Sequence, residues 1–300
     1  MGSGQTMELA TLSSFMLAYS AFRLRGALSM EHETWLRLSV FFGIFFIMAL
    51  WEIIAPRRSL SFGKKRWFAN LGIVVLNSFV ARLVLPMGAV GAALWAETHA
   101  FGLLALFHFS DVFIIFIAII LLDFIIYAQH VMFHRIPILW RLHQVHHADR
   151  DIDVTTGLRF HPIEIIISML IKMAAVVLLG VPVVAVIIFE VILNAMAMFN
   201  HSNVRLPKAI DALIRLLLVT PDVHRVHHSI IYNETNSNYG FNLSVWDRFC
   251  GTYKAQPDLG HDKVVIGLPD LQQAPTHQLF WMLRLPFTSK TQENTPANKA

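Results

Sequence analysis

The chemistry this sequence can carry lies in its histidines. Ten of the fifteen fall between His130 and His228, mostly in tight groups. His130 and His134 form H-x-x-x-H. Two later strings, HQVHH (His143, His146, His147) and HRVHH (His224, His227, His228), repeat a single H-x-x-H-H pattern. On a helix, positions i, i+3 and i+4 share a face, so each motif offers two or three imidazole nitrogens to one locality. That is the geometry of metal ligation. In a chain of this histidine content, one such triplet is expected by chance about 0.04 times, and two far less often. Burying eight imidazoles together without a bound partner would leave their nitrogens desolvated and uncompensated. His161 in RFHPIE and His201 in FNHSN flank a long apolar stretch and join the candidate ligands. His32, His99, His108, His261 and His277 are scattered and read as ordinary surface or core residues.

Eight to ten neutral imidazoles exceed the four ligands of one zinc ion and suit two metals at four or five ligands each. Cys250 is the single cysteine, which excludes a Cys-built cluster and an intramolecular disulfide. Imidazole accepts iron, zinc or copper, so ligand type leaves the metal open. Each ligating ring needs a partner for its second nitrogen. Asp149, Asp151, Asp153, Asp222 and Asn203 lie close enough in sequence to serve, with helix capping or loop polarity as the competing reading. Asp123 and Tyr127 continue the stripe of His130 and His134 upstream, and an aspartate inside a membrane span is expected to face a site or a partner.

The elements that must hold these residues are helices in a membrane. The 300 residues are 55% hydrophobic and 15% charged, with a mean hydropathy of +0.55, outside the usual range of a soluble domain. The net charge of +4 is spread over several loops, with no basic block to track a nucleic acid. We expect an all-α integral membrane protein with about four transmembrane helices in hairpins. The spans lie near 38–55, 67–87 and 112–133, with a hairpin over 163–199 that turns at Gly180-Val181-Pro182. The segment after Pro86 reads as a loop or shallow stretch. Arg57, Arg58, Lys64, Lys65 and Arg66 place the first connection in the cytosol, and counting spans from there gathers every histidine group on the cytosolic face. The organisation is an N-terminal segment 1–37 that reads as an interfacial helix, a membrane domain 38–255, and a tail 256–300. In the tail, Leu279 to Phe287 read as an interfacial helix, and the residues from Ser289 are polar and expected to be disordered. Leu206, Ile210, Leu213, Ile214 and Leu217 recur at helical spacing opposite Lys208, Asp211 and Arg215, as in a helix lying on a membrane surface.

With HVMFH, HQVHH and HRVHH in this order, the chain resembles the fatty acid hydroxylase and sterol desaturase superfamily. The strings WRLHQVHHAD, HPIE, NHSN, TPDVHRVHH, NYGFNLSVWD and FCGTY strengthen the resemblance, which covers about residues 40–255. It implies a cytosol-facing centre of two iron ions that activates O2 against an unactivated C–H bond of a lipid, giving an alcohol or an alkene. It also implies a separate electron donor, since the sequence carries no flavin, haem or iron-sulfur motif. Some members have a further histidine four residues before His201, where this chain has Ala197. By the same resemblance the membrane is the inner or plasma membrane in a bacterium and the endoplasmic reticulum in a eukaryote. A metal transporter, a b-type haem protein and a relative without catalysis are the competing readings. A transporter would place its ligands in broken helices at mid-membrane, and a haem protein would pair histidines across two spans.

Overall fold

The computed structural model describes residues 35–288. The N-terminal segment 1–37 and the polar end from Ser289 therefore lie almost wholly outside the described residues. The described residues contain five helices long and apolar enough to cross a membrane, and the chain is an integral membrane protein. The first, α1, is Trp35–Ile54. A 44-residue helical stretch, Gly63–Leu106, follows. It contains α2 (Trp67–Val84) and α3 (Gly88–Thr98). Next come α4 (Asp111–Arg135) and the short α5 (Pro137–His147). The hairpin consists of α6 (Pro162–Leu179) and α7 (Val183–Asn200). Its two arms account for the difference from a count of about four.

The hairpin turns where the sequence places the turn. Gly180 takes a left-handed conformation (φ 68°) at the end of α6, and its N–H reaches back to the carbonyls of Val176 and Val177, an ending that glycine adopts without strain. Gly102 (φ 116°) packs backbone to backbone against it, since a Cβ on Gly102 would lie 2.1 Å from the Gly180 nitrogen. The Glu97 carboxylate accepts the Val183 N–H at 2.8 Å. The loop after α3 and the hairpin turn thus share one end of the bundle, and the histidine motifs occupy the other.

After Pro86 the chain is helical and does not form a loop. The helix breaks at Leu85–Gly88 and resumes as α3, which packs along both α6 and α7. Its buried face is Ala89, Ala92, Ala93 and Ala96, small residues that allow the close helix approach that association in a membrane relies on. Ala89, Ala92 and Ala93 join Ala118, Leu122 and Ile126 of α4, Val176 of α6 and Phe189 of α7 in one core. Phe79 and Leu83 of α2, Val112 and Phe116 of α4 and Leu178 of α6 point outward, as lipid-facing residues do.

Beyond the bundle, α8 (Lys208–Ile214) turns Ile210 and Leu213 outward, while Asp211 and Arg215 are buried and paired with each other. This is the reverse of a soluble amphipathic helix, and it suits an apolar surface. α9 (Pro221–His227) carries the last histidine triplet. In the tail, Leu279–Thr288 is helical. Its Met282 and Leu285 pack on Ala69 and Ile73 of α2 and on Val145 of α5, leaving Phe280 and Phe287 exposed.

Candidate metal centre

Four helices end at one place. α4 ends at Arg135, one residue past His134; α5 ends at His147; α7 ends at Asn200, with His201 as its cap; and α9 ends at His227, with His228 as its cap. Proline sets the starting points of two of them, α5 at Pro137 and α9 at Pro221, and of the neighbouring α6 at Pro162. Proline at the first helical position forfeits no hydrogen bond and holds the preceding residue extended, which fixes the angle of entry. Thr220 completes the start of α9 by accepting the Val223 N–H through its side chain.

Nine of the ten predicted histidines converge in two groups. His130, His134, His143, His147 and His227 form one, and His146, His201, His224 and His228 form the other. Within each group the ligand nitrogens lie within 4.8 Å of one another, and all nine residues are buried. The groups adjoin, because the rings of His147 and His228 stack with centroids 4.6 Å apart. The tenth, His161, belongs to neither. Its Nδ1 accepts the Ile163 N–H as the cap of α6, and its Nε2 lies 3.3 Å from the Leu283 carbonyl. Helix entry before Pro162 has claimed this side chain.

Five of the nine rings have a fixed orientation. His130 Nδ1 lies 2.8 Å from the Tyr239 carbonyl, His227 Nδ1 2.7 Å from that of Ser237, His201 Nδ1 2.7 Å from that of Ala197, and His146 Nδ1 3.3 Å from that of Arg159. His143 Nδ1 lies 2.6 Å from Glu164 Oε1. A carbonyl oxygen only accepts, so each of the first four Nδ1 atoms carries the proton, and in the neutral ring Nε2 is then a bare lone pair. Those lone pairs point at one another: the Nε2 atoms of His130 and His227 are 3.1 Å apart, as are those of His146 and His201.

Two facing lone pairs repel unless a proton or a metal ion lies between them. Protonation is disfavoured: burial pushes His201 and His227 down to about 3. Burial and the neighbouring imidazoles hold His146, His147, His224 and His228 well below the ordinary histidine range. Two nitrogens bound about 2.1 Å from one ion at a right angle are about 3.0 Å apart, close to the 2.9–3.2 Å separations seen here. His147 and His228 have no hydrogen-bond partner on either ring nitrogen, a cost that a bound cation removes. The donor set fits one metal ion in each group.

The carboxylates and the amide singled out as orienting groups have other partners. Asp149 pairs with Arg66 and accepts from Asn70 and Thr156. Burial works against its charge, yet Arg66 and Arg159 hold its carboxyl below the usual range. Asp151 accepts the N–H groups of Ser61 and Phe62, and Asp153 pairs with Arg66. Asp222 pairs with Arg225 and Arg57, and Asn203 is bound to the backbone of Arg58 on both sides. Asp123 accepts from Trp246 Nε1 at 2.8 Å, and the Tyr127 hydroxyl meets Thr252 at 3.0 Å, so this stripe fastens the segment after α9 to α4. Sequence reasoning missed Glu164, although the string HPIE displays it. It also missed Glu52, whose Oε1 accepts the N–H groups of Val154 and Asn203 at 2.7 Å and so ties together the loops behind α5 and α7.

Residues 115–252 match the fatty acid hydroxylase family model. Ornithine lipid hydroxylase of Rhizobium tropici is 30% identical over 145 residues, 48% of this chain and 43% of that protein. Human alkylglycerol monooxygenase is 33% identical over 149 residues, 49% of this chain and 31% of that protein. The match therefore spans less than half the length of either relative. No solved structure matches. All nine converging histidines lie within residues 115–252, the part of the chain that is similar to the fatty acid hydroxylase family.

Proposed function

We propose that the protein is a membrane-bound di-iron oxygenase that hydroxylates or desaturates a lipid, drawing electrons from a separate reductase. The observation that carries this reading is the pair of facing Nε2 lone pairs in each histidine group, held by Nδ1–H donation to main-chain carbonyls. His130, His134, His143, His147 and His227 would hold one ion, and His146, His201, His224 and His228 the other. Two iron ions there would supply O2 activation, placing one oxygen atom in a C–H bond and releasing the other as water with two electrons and two protons.

The chain's own contribution is positioning. Main-chain carbonyls and Glu164 fix the tautomers, while burial keeps the imidazoles neutral and excludes bulk water. The helix ends bring the site to the border of the membrane, where a lipid can present its polar end. Relatives named for ornithine lipid and alkylglycerol support a lipid with a polar headgroup as substrate. Span counting from the basic segment after α1 supports a cytosol-facing site. A transporter would need its ligands in broken helices at mid-membrane, whereas these histidines gather at helix termini.

The purified chain is expected to contain two irons, and a strain lacking it to lose an oxidised lipid that the wild-type gene restores and a His146→Ala/His227→Ala gene does not. Full metal retention and product formation in that double variant would overturn the reading.

A further inference from the structure

At the five-histidine group, five residues of α4, α5 and α6 neighbour one another in a ring-like order, linked by three contacts and by their places in the helices. Glu164 Oε1 lies 2.6 Å from His143 Nδ1, His143 Nε2 lies 3.2 Å from His130 Nε2, and Gln129 adjoins His130 in the chain. Gln129 Nε2 donates to Ser168 Oγ at 3.0 Å, and Ser168 stands one turn after Glu164 on α6. Two acceptor atoms in this ring, Glu164 Oε2 and Gln129 Oε1, are buried and receive no hydrogen bond. Glu164 is only 3% exposed. An unpaired buried carboxylate oxygen is costly, and within membrane helices such polar groups are tolerated where they face a ligand or a pathway. The next polar residue on this face of α6, Lys172, supplies no donor to them, because it pairs with Glu190 of α7.

We infer that Gln129, Ser168 and Glu164 form a subsite that takes a hydrogen-bond donor, O–H or N–H, from the polar end of the lipid beside the metal centre. The inference rests on the oxygenase reading for its choice of a lipid. It narrows the substrate to lipids whose headgroup carries a donor. The carbon to be oxidised would then lie near the headgroup, because the subsite adjoins His143 and His130 of the metal site.

The test is binding to the metal-loaded full chain in nanodiscs, with four probes: a monohexadecyl glycerol ether, its dimethyl ether, an ornithine-headed lipid, and its fully N-methylated form. The wild type is expected to bind the donor-bearing member of at least one pair about tenfold more tightly than its capped partner, and which pair shows the preference separates an O–H from an N–H source. Gln129→Leu and Ser168→Ala, with metal content verified, are expected to reduce that preference to less than threefold. Equal binding of donor-bearing and capped probes by the wild type, or a preference that survives in both variants, overturns the subsite. Because the readout is binding, a chain that shows the preference yet oxidises no lipid would sink the oxygenase reading and leave the subsite standing.

Discussion

Nε2 of His130 and Nε2 of His227 face each other across 3.1 Å although the residues are 97 positions apart, and each ring is held by a main-chain carbonyl on its far side. His146 and His201 repeat the arrangement in the second group. The two groups should therefore fail separately. His227→Ala is expected to lower metal content from two ions to one per chain, His146→Ala to remove the other, and the double variant to remove both. Plasma mass spectrometry of the purified variants checks this, and loss of both ions in each single variant would show the groups to be one cooperative site.

Glu164 is expected to act through His143. Glu164→Gln retains the shape but not the charge that stabilises the Nδ1–H tautomer, and a loss of about 10- to 100-fold in metal affinity follows. Competition with a graded series of chelators measures it. An unchanged affinity would assign the 2.6 Å contact no role in ligation.

The buried cluster around Arg66 makes a prediction about stability rather than metal. Arg66 is fully buried between Asp149 and Asp153, and removing one partner of such a set leaves uncompensated charge. Arg66→Met is expected to cost about 3–5 kcal/mol, read as a lower midpoint of thermal unfolding in detergent. A midpoint within 1 °C of wild type would contradict it.

At the opposite end, Gly102→Ala is expected to destabilise the bundle, because the new Cβ would meet the Gly180 backbone at 2.1 Å at a φ of 116° that alanine rarely adopts. Gly43→Ala, with nothing within 4 Å of its Cβ, is the control. Thermal melts of the two variants should differ in that order.

Histidine spacing and apolar run length were enough to read the membrane helices, the hairpin turn at Gly180 and eight of the nine converging histidines, because both signals are local in sequence. Three things were not legible. The helix over Gly88–Thr98 is held by alanines whose value lies in close packing against α6 and α7, which no hydropathy reading displays. His161 carries the residue type of a ligand but sits where α6 needs a cap. The partners that orient the rings are mostly main-chain carbonyls, of Tyr239, Ser237, Ala197 and Arg159, and every residue has one. Nearby carboxylates such as Asp149 and Asp222 were the visible candidates, yet their charge is spent on arginines.

Four helices terminate at the histidines, and their ends bear on the counter-charge that two metal cations would need there. Neutral imidazoles carry none, and Glu164 reaches the five-histidine group through His143. Each helix C-terminus presents roughly half a negative charge on its unpaired carbonyls, so four of them together offer the equivalent of about two anions. Unlike a carboxylate ligand, this charge cannot be protonated away or displaced by a competing anion. The backbone would thus share the role of counter-ion with Glu164.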